Sequence, residues 1–196
     1  MAPPALRGRL VTLRPLRRTD ASALDRVLRD RTATRFLPPR VRKETGRQFV
    51  ARVLREQAQV AGSAFAIVPV GSEETVGQIR FVHWFPSKGE AEVGYWIRRK
   101  HWGRGFGTEA LWLLCRYGFR SRSLHRIEAI VVVGNRGSRR VLEKVGFRAE
   151  GRSRQASRLR NGWVDEWRFG LLRGELVDPA PPTAGAPSRA RARQGR

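Results

Sequence analysis

Apolar and polar positions alternate over Leu10-Val11-Thr12-Leu13-Arg14 and stop at Pro15, which marks a short first strand. Thr19-Asp20 can cap a helix, and Ala23, Leu24, Val27 and Leu28 then fall on one face, predicting a helix to about residue 28. A second amphipathic helix fits residues 44–60, with Phe49, Val50, Val53 and Leu54 apolar. Three strand-like runs follow at 64–70, 76–84 and 90–97. The joints between them, Gly71-Ser72 and Pro86-Ser87-Lys88-Gly89, are short and turn-rich, so an antiparallel meander is expected.

The rhythm then changes. Residues 108–119 read as a helix, with Leu111, Leu114, Cys115, Gly118 and Phe119 at three-and-four spacing. Residues 127–133 are apolar and β-branched, which predicts a strand buried on both faces. A short helix at 138–144 closes at Gly146, and a last pair of strands lies around 148–157 and 163–172. The strand–helix–strand unit over 90–133 makes part of the sheet parallel. The predicted class is α/β with a mixed sheet.

Composition narrows the setting. At 196 residues the chain suits one globular domain, and no apolar run approaches the roughly 20 residues of a membrane span. The start, Met1-Ala2-Pro3-Pro4, lacks the apolar stretch of a secretory signal, and the lone Cys115 fits a reducing, cytoplasmic location. Residues 179–196 are rich in Pro, Ala and Arg without apolar period, so a folded domain over 1–178 and a disordered basic tail over 179–196 are expected. The net charge is +23, carried by arginine apart from Lys43, Lys88, Lys100 and Lys144. Such a charge raises encounter rates with anionic partners: an acidic cofactor, an acidic substrate or RNA. No aromatic RNA-binding pattern accompanies it. An arginine bias of this kind also arises from genome composition.

The chemistry concentrates at Trp102-Gly103-Arg104-Gly105-Phe106-Gly107-Thr108, between the strand at 90–97 and the next helix. Alternate glycines let backbone bend tightly and approach a ligand, and the free N–H groups of a helix start favour a phosphate. Arg104 can add a charged contact and Thr108 a hydroxyl. No lysine precedes Thr108, as a P-loop requires, and the last glycine interval is wrong for a dinucleotide fold.

Further segments turn this turn into a family resemblance. Gly94-Tyr95-Trp96-Ile97 with the glycine turn and Glu109-Ala110-Leu111 resembles the CoA-binding motif of GNAT acetyltransferases. Asn135-Arg136-Gly137-Ser138-Arg139-Arg140-Val141-Leu142-Glu143-Lys144-Val145-Gly146-Phe147 is similar to their second motif. Gly8-Arg9-Leu10-Val11-Thr12-Leu13-Arg14-Pro15-Leu16 with Asp20, Glu150-Gly151-Arg152, and Trp163 with Asp165 resemble the RimJ/RimL type, the ribosomal-protein N-terminal acetyltransferases. The resemblance covers about residues 8–177. It implies a centrally splayed sheet flanked by helices, opened between 90–97 and 127–133 to admit pantetheine. It implies acetyl-CoA as co-substrate, with no metal, and a primary amine as acceptor. By the same resemblance Asn135 would bond the pantetheine arm and Ser138 would sit near the thioester sulfur. Asn135 also suits a turn after the strand, and Ser138 a helix cap.

One departure matters. Many GNAT enzymes carry a tyrosine in the second motif that protonates the leaving thiolate, and this segment has Leu142 and no tyrosine. Ser138, a water or no acid must serve, a thiol of pKa near 8.5 being a tolerable leaving group. The amine attacks the thioester directly, with backbone N–H groups near Ile97 as oxyanion donors. Glu92 is the candidate base, through a water, against the alternative of an arginine-paired surface carboxylate. Asp165 would bind the incoming amine or pin the last hairpin. Cys115 falls on the apolar helix face, and His83, His101 and His125 lack ligand spacing for a metal. The acceptor classes are a protein N-terminus, ribosomal or other, and a small amine such as an antibiotic, polyamine or amino acid. A non-catalytic CoA-binding or RNA-associated protein is the remaining alternative. An exposed edge strand in the last hairpin allows a monomer or a homodimer.

Overall fold

A computed structural model describes residues 3–59, 64–160 and 162–179. Eight strands form one sheet: β1 (Leu6–Arg7), β2 (Val11–Pro15), β3 (Ala64–Pro69), β4 (Gly77–Phe85), β5 (Glu90–Ile97), β6 (Arg126–Val132), β7 (Arg148–Leu159) and β8 (Gly162–Leu172). Their spatial order is β1-β2-β3-β4-β5-β6-β8-β7. The helices are α1 (Ala21–Leu28), α2 (Pro39–Arg42), α3 (Gly46–Gln59), α4 (Phe106–Ser121) and α5 (Arg136–Val145). β5 and β6 pair in parallel across the connection through α4, and the other pairings are antiparallel. The mixed α/β sheet is as the sequence predicts.

Strand alternation sorts side chains between two layers. On β5, Ala91, Val93 and Ile97 face α4 and α5, joining Leu111, Leu114, Phe119, Leu142 and Phe147 in one core. Trp96 faces the other way, into a smaller core with Leu24, Val27, Phe49, Val50 and Val53 of α1 and α3. On β4 the register shifts between Phe81 and His83, so Val82 is an extra residue. That bulge brings His83 opposite Glu92 instead of Ala91.

The sequence reading needs several corrections. β6 is not buried on both faces along its length: Ile127, Ala129 and Val131 are buried on one side, whereas Ile130 on the other is 37% exposed. Asp20 makes no side-chain cap bond to α1; it is buried as the partner of Arg14 and Thr75. α4 starts at Phe106, ahead of the expected Thr108, and α5 at Arg136, ahead of the expected Ser138. α2 went unread because it is four residues long and opens on the Pro38-Pro39 pair. Val60 and residues 180–196 of the expected tail lie outside the described residues. At the boundary, the Pro179 carbonyl accepts a bond from Arg9 Nη2 at 2.6 Å.

Candidate active site

The sheet opens in its middle. β5 and β6 pair only at Glu90 with Arg126, Ala91 with Ile127 and Glu92 with Glu128. Beyond that point each strand follows its outer neighbour: β5 stays on β4 as far as Ile97 opposite Gly77, and β6 stays on β8 as far as Val132 opposite Glu166. Residues 93–97 and 129–132 therefore flank a splay with no ladder between them. Unpaired strand edges of this kind accept an extended ligand as an added strand would be accepted. Glu92 sits at the vertex.

The mouth is the glycine turn. Gly103 and Gly105 have φ of 76° and 81°, left-handed conformations that explain two of the three glycines. Gly105 is the N-cap of α4, so the first N–H groups of the helix, from Phe106, Gly107 and Thr108, point outward without intrahelical acceptors. Gly107 has a different reason. A Cβ there would stand 3.4 Å from Ile97 Cδ1, 3.7 Å from Val141 Cγ2 and 3.9 Å from Tyr95 Cε2, at the floor of the mouth. Thr108 is buried and inside the helix, which leaves its backbone rather than its hydroxyl as the natural anion contact. Trp102 Nε1 donates to the Ile97 carbonyl at 2.7 Å and ties the turn to the strand end. Arg104 lies 3.4 Å from His101 Nδ1 and above the Phe106 ring, which stacks on His101. Burial, with Lys100 and Arg104 nearby, lowers the His101 pKa.

The other arm is side-chain chemistry. Asn135 is the N-cap of α5, its Oδ1 accepting from Ser138 N at 3.3 Å. Asn135 and not Ser138 therefore caps the helix. Ser138 lies in the first turn, its Oγ 3.1 Å from Tyr95 Oη. Leu142, in the place of the family tyrosine, is fully buried in the core.

The remaining candidates are placed as follows. Glu92 Oε2 lies 3.0 Å from His83 Nδ1, so its partner is a histidine rather than an arginine. Asp165 accepts from Arg152 Nε and from Gln155 N, both at 2.8 Å, and these bonds hold its pKa below the usual carboxylate range. Both oxygens serve the hairpin. Ile97 borders the turn, five residues beyond the vertex. Cys115 is fully buried and burial pushes its thiol pKa up, so it offers no accessible nucleophile. Sequence reasoning gave no role to Glu109, whose buried carboxylate accepts from the backbone of Arg9, Leu10 and Val11 at 2.6–2.8 Å. Nor does it give Tyr95 a role of its own or His83 a partner. The strand alternation carried a signal for Tyr95, which shares a face with Val93 and Ile97; the bulge that aligns His83 carried none.

Among the described residues, no group of three or more His, Cys, Asp or Glu could hold a metal, and no helix is long and apolar enough to cross a membrane. A groove of about 920 Å³ lies away from the splay between α1 and α3, lined in part by Arg18, Ser22, Asp25, Arg29 and Arg47. Its carboxylate is already engaged by Gly46 N and Arg29.

A splayed sheet with a helix start at its mouth is an arrangement that suits an extended, phosphorylated ligand. A family model described as an acetyltransferase (GNAT) domain matches residues 10–148, and the chain belongs to that family. An uncharacterized N-acetyltransferase p20 of Bacillus licheniformis is 30% identical over 169 residues, covering 85% of this chain and 95% of that one. The structure of Mycobacterium smegmatis RimJ in complex with CoA-disulfide is 29% identical, with a TM-score of 0.72 over 91% of this chain and 93% of its own. A spermidine N-acetyltransferase from Vibrio cholerae, in complex with CoA and spermine, has a TM-score of 0.74 over 84% of this chain and 96% of its own; at 20% identity that likeness is one of fold. The protein is an acetyl-CoA-dependent N-acetyltransferase of the GNAT type, similar to RimJ and RimL.

Proposed function

We propose that the acceptor is a protein N-terminal α-amine, and that the splay brings it to acetyl-CoA at the vertex marked by Glu92. The observation that carries this reading is the carboxylate of Glu92 at the closed end of an open strand gap. In this reading the pyrophosphate rests on the backbone of Gly103, Arg104, Gly105, Phe106, Gly107 and Thr108. The pantetheine arm follows β5 inward past Ile97, with Asn135 donating from the other side. Residues 93–97 span roughly 16 Å at about 3.3 Å per residue, which places the thioester near the vertex and Ser138 beside the sulfur. The oxyanion donors then move from Ile97 inward, to the backbone N–H of Val93, on the edge that β4 leaves free.

Charge supports the choice of acceptor. A protein with a net charge of +23 repels polyamines and basic peptides and attracts acidic ones. Near the vertex, Glu128 and Glu150 are both held by Arg126, so few free carboxylates are left for a polycation. An α-amine of pKa near 8 is about a tenth neutral at pH 7, whereas a lysine amine is neutral in only a few parts in ten thousand, so the α-amine asks little of a base. Glu92, through a water, takes the proton; the neutral nitrogen attacks the thioester carbon, and the C–S bond breaks. Asp165 shapes the hairpin beside the site. Residues 1–178 form the acetyltransferase domain in this reading, and a cytoplasmic setting supplies acetyl-CoA. The free edge strand β7 carries Arg148, Arg152, Arg154 and Arg158, and like charges oppose edge-to-edge pairing of two copies.

The test is thiol release from acetyl-CoA with a panel of acidic and basic N-terminal peptides, N-blocked lysine peptides, polyamines, amino acids and aminoglycosides. Turnover is expected on N-terminal peptides, highest for acidic sequences, ribosomal protein termini among them. Turnover confined to small amines or lysine peptides would overturn the reading.

A further inference from the structure

The hydroxyl of Tyr95 crosses from the β5 arm to the first turn of α5, where it meets Ser138. It stands 3.1 Å from Ser138 Oγ and 3.4 Å from the Ser138 carbonyl oxygen. Ser138 itself is fixed at its backbone, its N–H donating to Asn135 Oδ1. We propose that Tyr95 is a positioning residue for acetyl transfer, its O–H donating to Ser138 Oγ so that the Ser138 O–H is left to point at the departing sulfur. This rests on the placement of the thioester beside Ser138 proposed above.

A serine hydroxyl has one proton to give and two lone pairs to receive. Two arrangements fit the distances. In one, Ser138 donates to Tyr95, and Tyr95 has only the longer contact to the Ser138 carbonyl. In the other, Tyr95 donates to Ser138 Oγ and the serine proton is free for the splay. As electron density builds on sulfur the second is selected, because each bond of the chain Tyr95–Ser138–sulfur polarises the next.

Tyr95 does not itself become the acid. Burial pushes its phenol pKa up, and the Ser138 contact does not bring it back. A thiol titrates near 8.5, so moving a proton from that phenol to the thiolate runs uphill. The balance is therefore as follows. The amine nitrogen bonds to the acyl carbon, the C–S electron pair leaves on sulfur, the amine's proton departs by way of Glu92, and the thiolate leaves hydrogen-bonded to Ser138 and takes its proton from water. The structure thus offers a substitute for the missing tyrosine of α5 that stabilises charge without transferring a proton.

A double-mutant cycle on the full chain tests this, with acetyl-CoA and the best amine of the acceptor panel. Ser138→Ala is expected to lower kcat about ten- to a hundredfold, the loss of a hydrogen bond to a charged group, and Tyr95→Phe about five- to tenfold, the loss of a neutral one, with KM for acetyl-CoA within about twofold in each. The double variant should be no slower than Ser138→Ala alone. Wild-type kcat in Tyr95→Phe, or a double variant that loses the product of the two single effects, overturns the inference. If Ser138→Ala also keeps its kcat, the placement of the sulfur fails as well; if only Tyr95→Phe does, the placement stands. Should Tyr95→Phe lose its fold by circular dichroism, 3-fluorotyrosine at position 95 replaces it. Its stronger donor should raise kcat at unchanged KM, and a kcat equal to wild type or lower counts against the proposal.

Discussion

The two faces of the sheet are held together by different physics. On the side of α4 and α5 the packing is apolar and dry, with Leu111, Leu114, Cys115, Leu142 and Val145 all fully buried. Its buried carboxylate, Glu109 in the first turn of α4, accepts from three backbone N–H groups, with Arg9 Nε 3.7 Å away. On the side of α1 and α3 a smaller apolar cluster is stitched by charge. Asp20 accepts from Arg14, Thr75 and Arg17 N, and Arg52 links Glu44 to Glu56, which binds Arg80. The glycine turn borders the apolar side, where Ile97, Phe106 and Ala110 join the larger core. Glu92 and Trp96 face the charged side.

The contrast yields stability predictions of opposite character. Leu114→Ala is expected to cost about 4 kcal/mol by transfer and cavity terms, the same in low and high salt and at neutral and mildly acidic pH, read by urea denaturation. Asp20→Asn should cost about 3 kcal/mol, since it leaves Arg14 partly buried without its counter-charge. Burial alone would raise the Asp20 pKa, but the bonds from Arg14, Thr75 and Arg17 outweigh it and the folded value lies below the usual one. A depressed carboxylate contributes stability above its unfolded pKa and loses it as pH falls through the folded value. The wild type should therefore weaken below about pH 4, and Asp20→Asn should show a flatter acid limb. A Leu114→Ala penalty that shrinks in acid, or an Asp20→Asn acid limb as steep as wild type, would break the contrast.

How far the sequence revealed each side follows the same division. The apolar side was largely legible, because periodic Leu, Val and Ile report burial directly: β3, β5, α4 and β8 fall within two residues of expectation. The splay was implied by resemblance, and what shapes it is a matter of which neighbour each strand keeps, which no local pattern records. The charged side was poorly legible. In a chain with forty basic residues, no spacing shows that Arg14 and Arg80 are the buried partners. Asp20 reads as a helix cap because cap and ion-pair residues share one chemistry. Asn135 and Ser138 exchanged the capping role for a similar reason, since either residue type serves and only backbone geometry decides.

Glu92 tests the boundary between the faces. Glu92→Gln is expected to lower kcat/KM for an N-terminal peptide about tenfold at pH 7, because only a tenth of a typical α-amine is already neutral there. The loss should fade as pH rises and the amine sheds its proton without help. His83→Gln should give a smaller loss, since the histidine touches Glu92 and stands one strand further from the vertex. A pH profile of Glu92→Gln parallel to wild type would remove Glu92 as the base and leave it an ordinary partner of His83.

The smallest expected effect concerns the third glycine of the turn. Gly103 and Gly105 need their left-handed backbone, and substitution there would mix strain with lost contacts. Gly107 is helical, and a methyl group would meet Ile97, Val141 and Tyr95 only at ordinary contact distances. Gly107→Ala should therefore fold as well as wild type or slightly better, because alanine favours a helix over glycine by about 0.5–1 kcal/mol. The added methyl still narrows the mouth where the donor enters, so KM for acetyl-CoA should rise about threefold with kcat unchanged, a change of less than 1 kcal/mol. A raised melting temperature with a raised KM would separate the stiffness of the apolar side from its fit to the donor. An unchanged KM would mean that the cofactor passes over the turn without touching its floor, and that the glycine serves only the approach of α4 to β5 and α5.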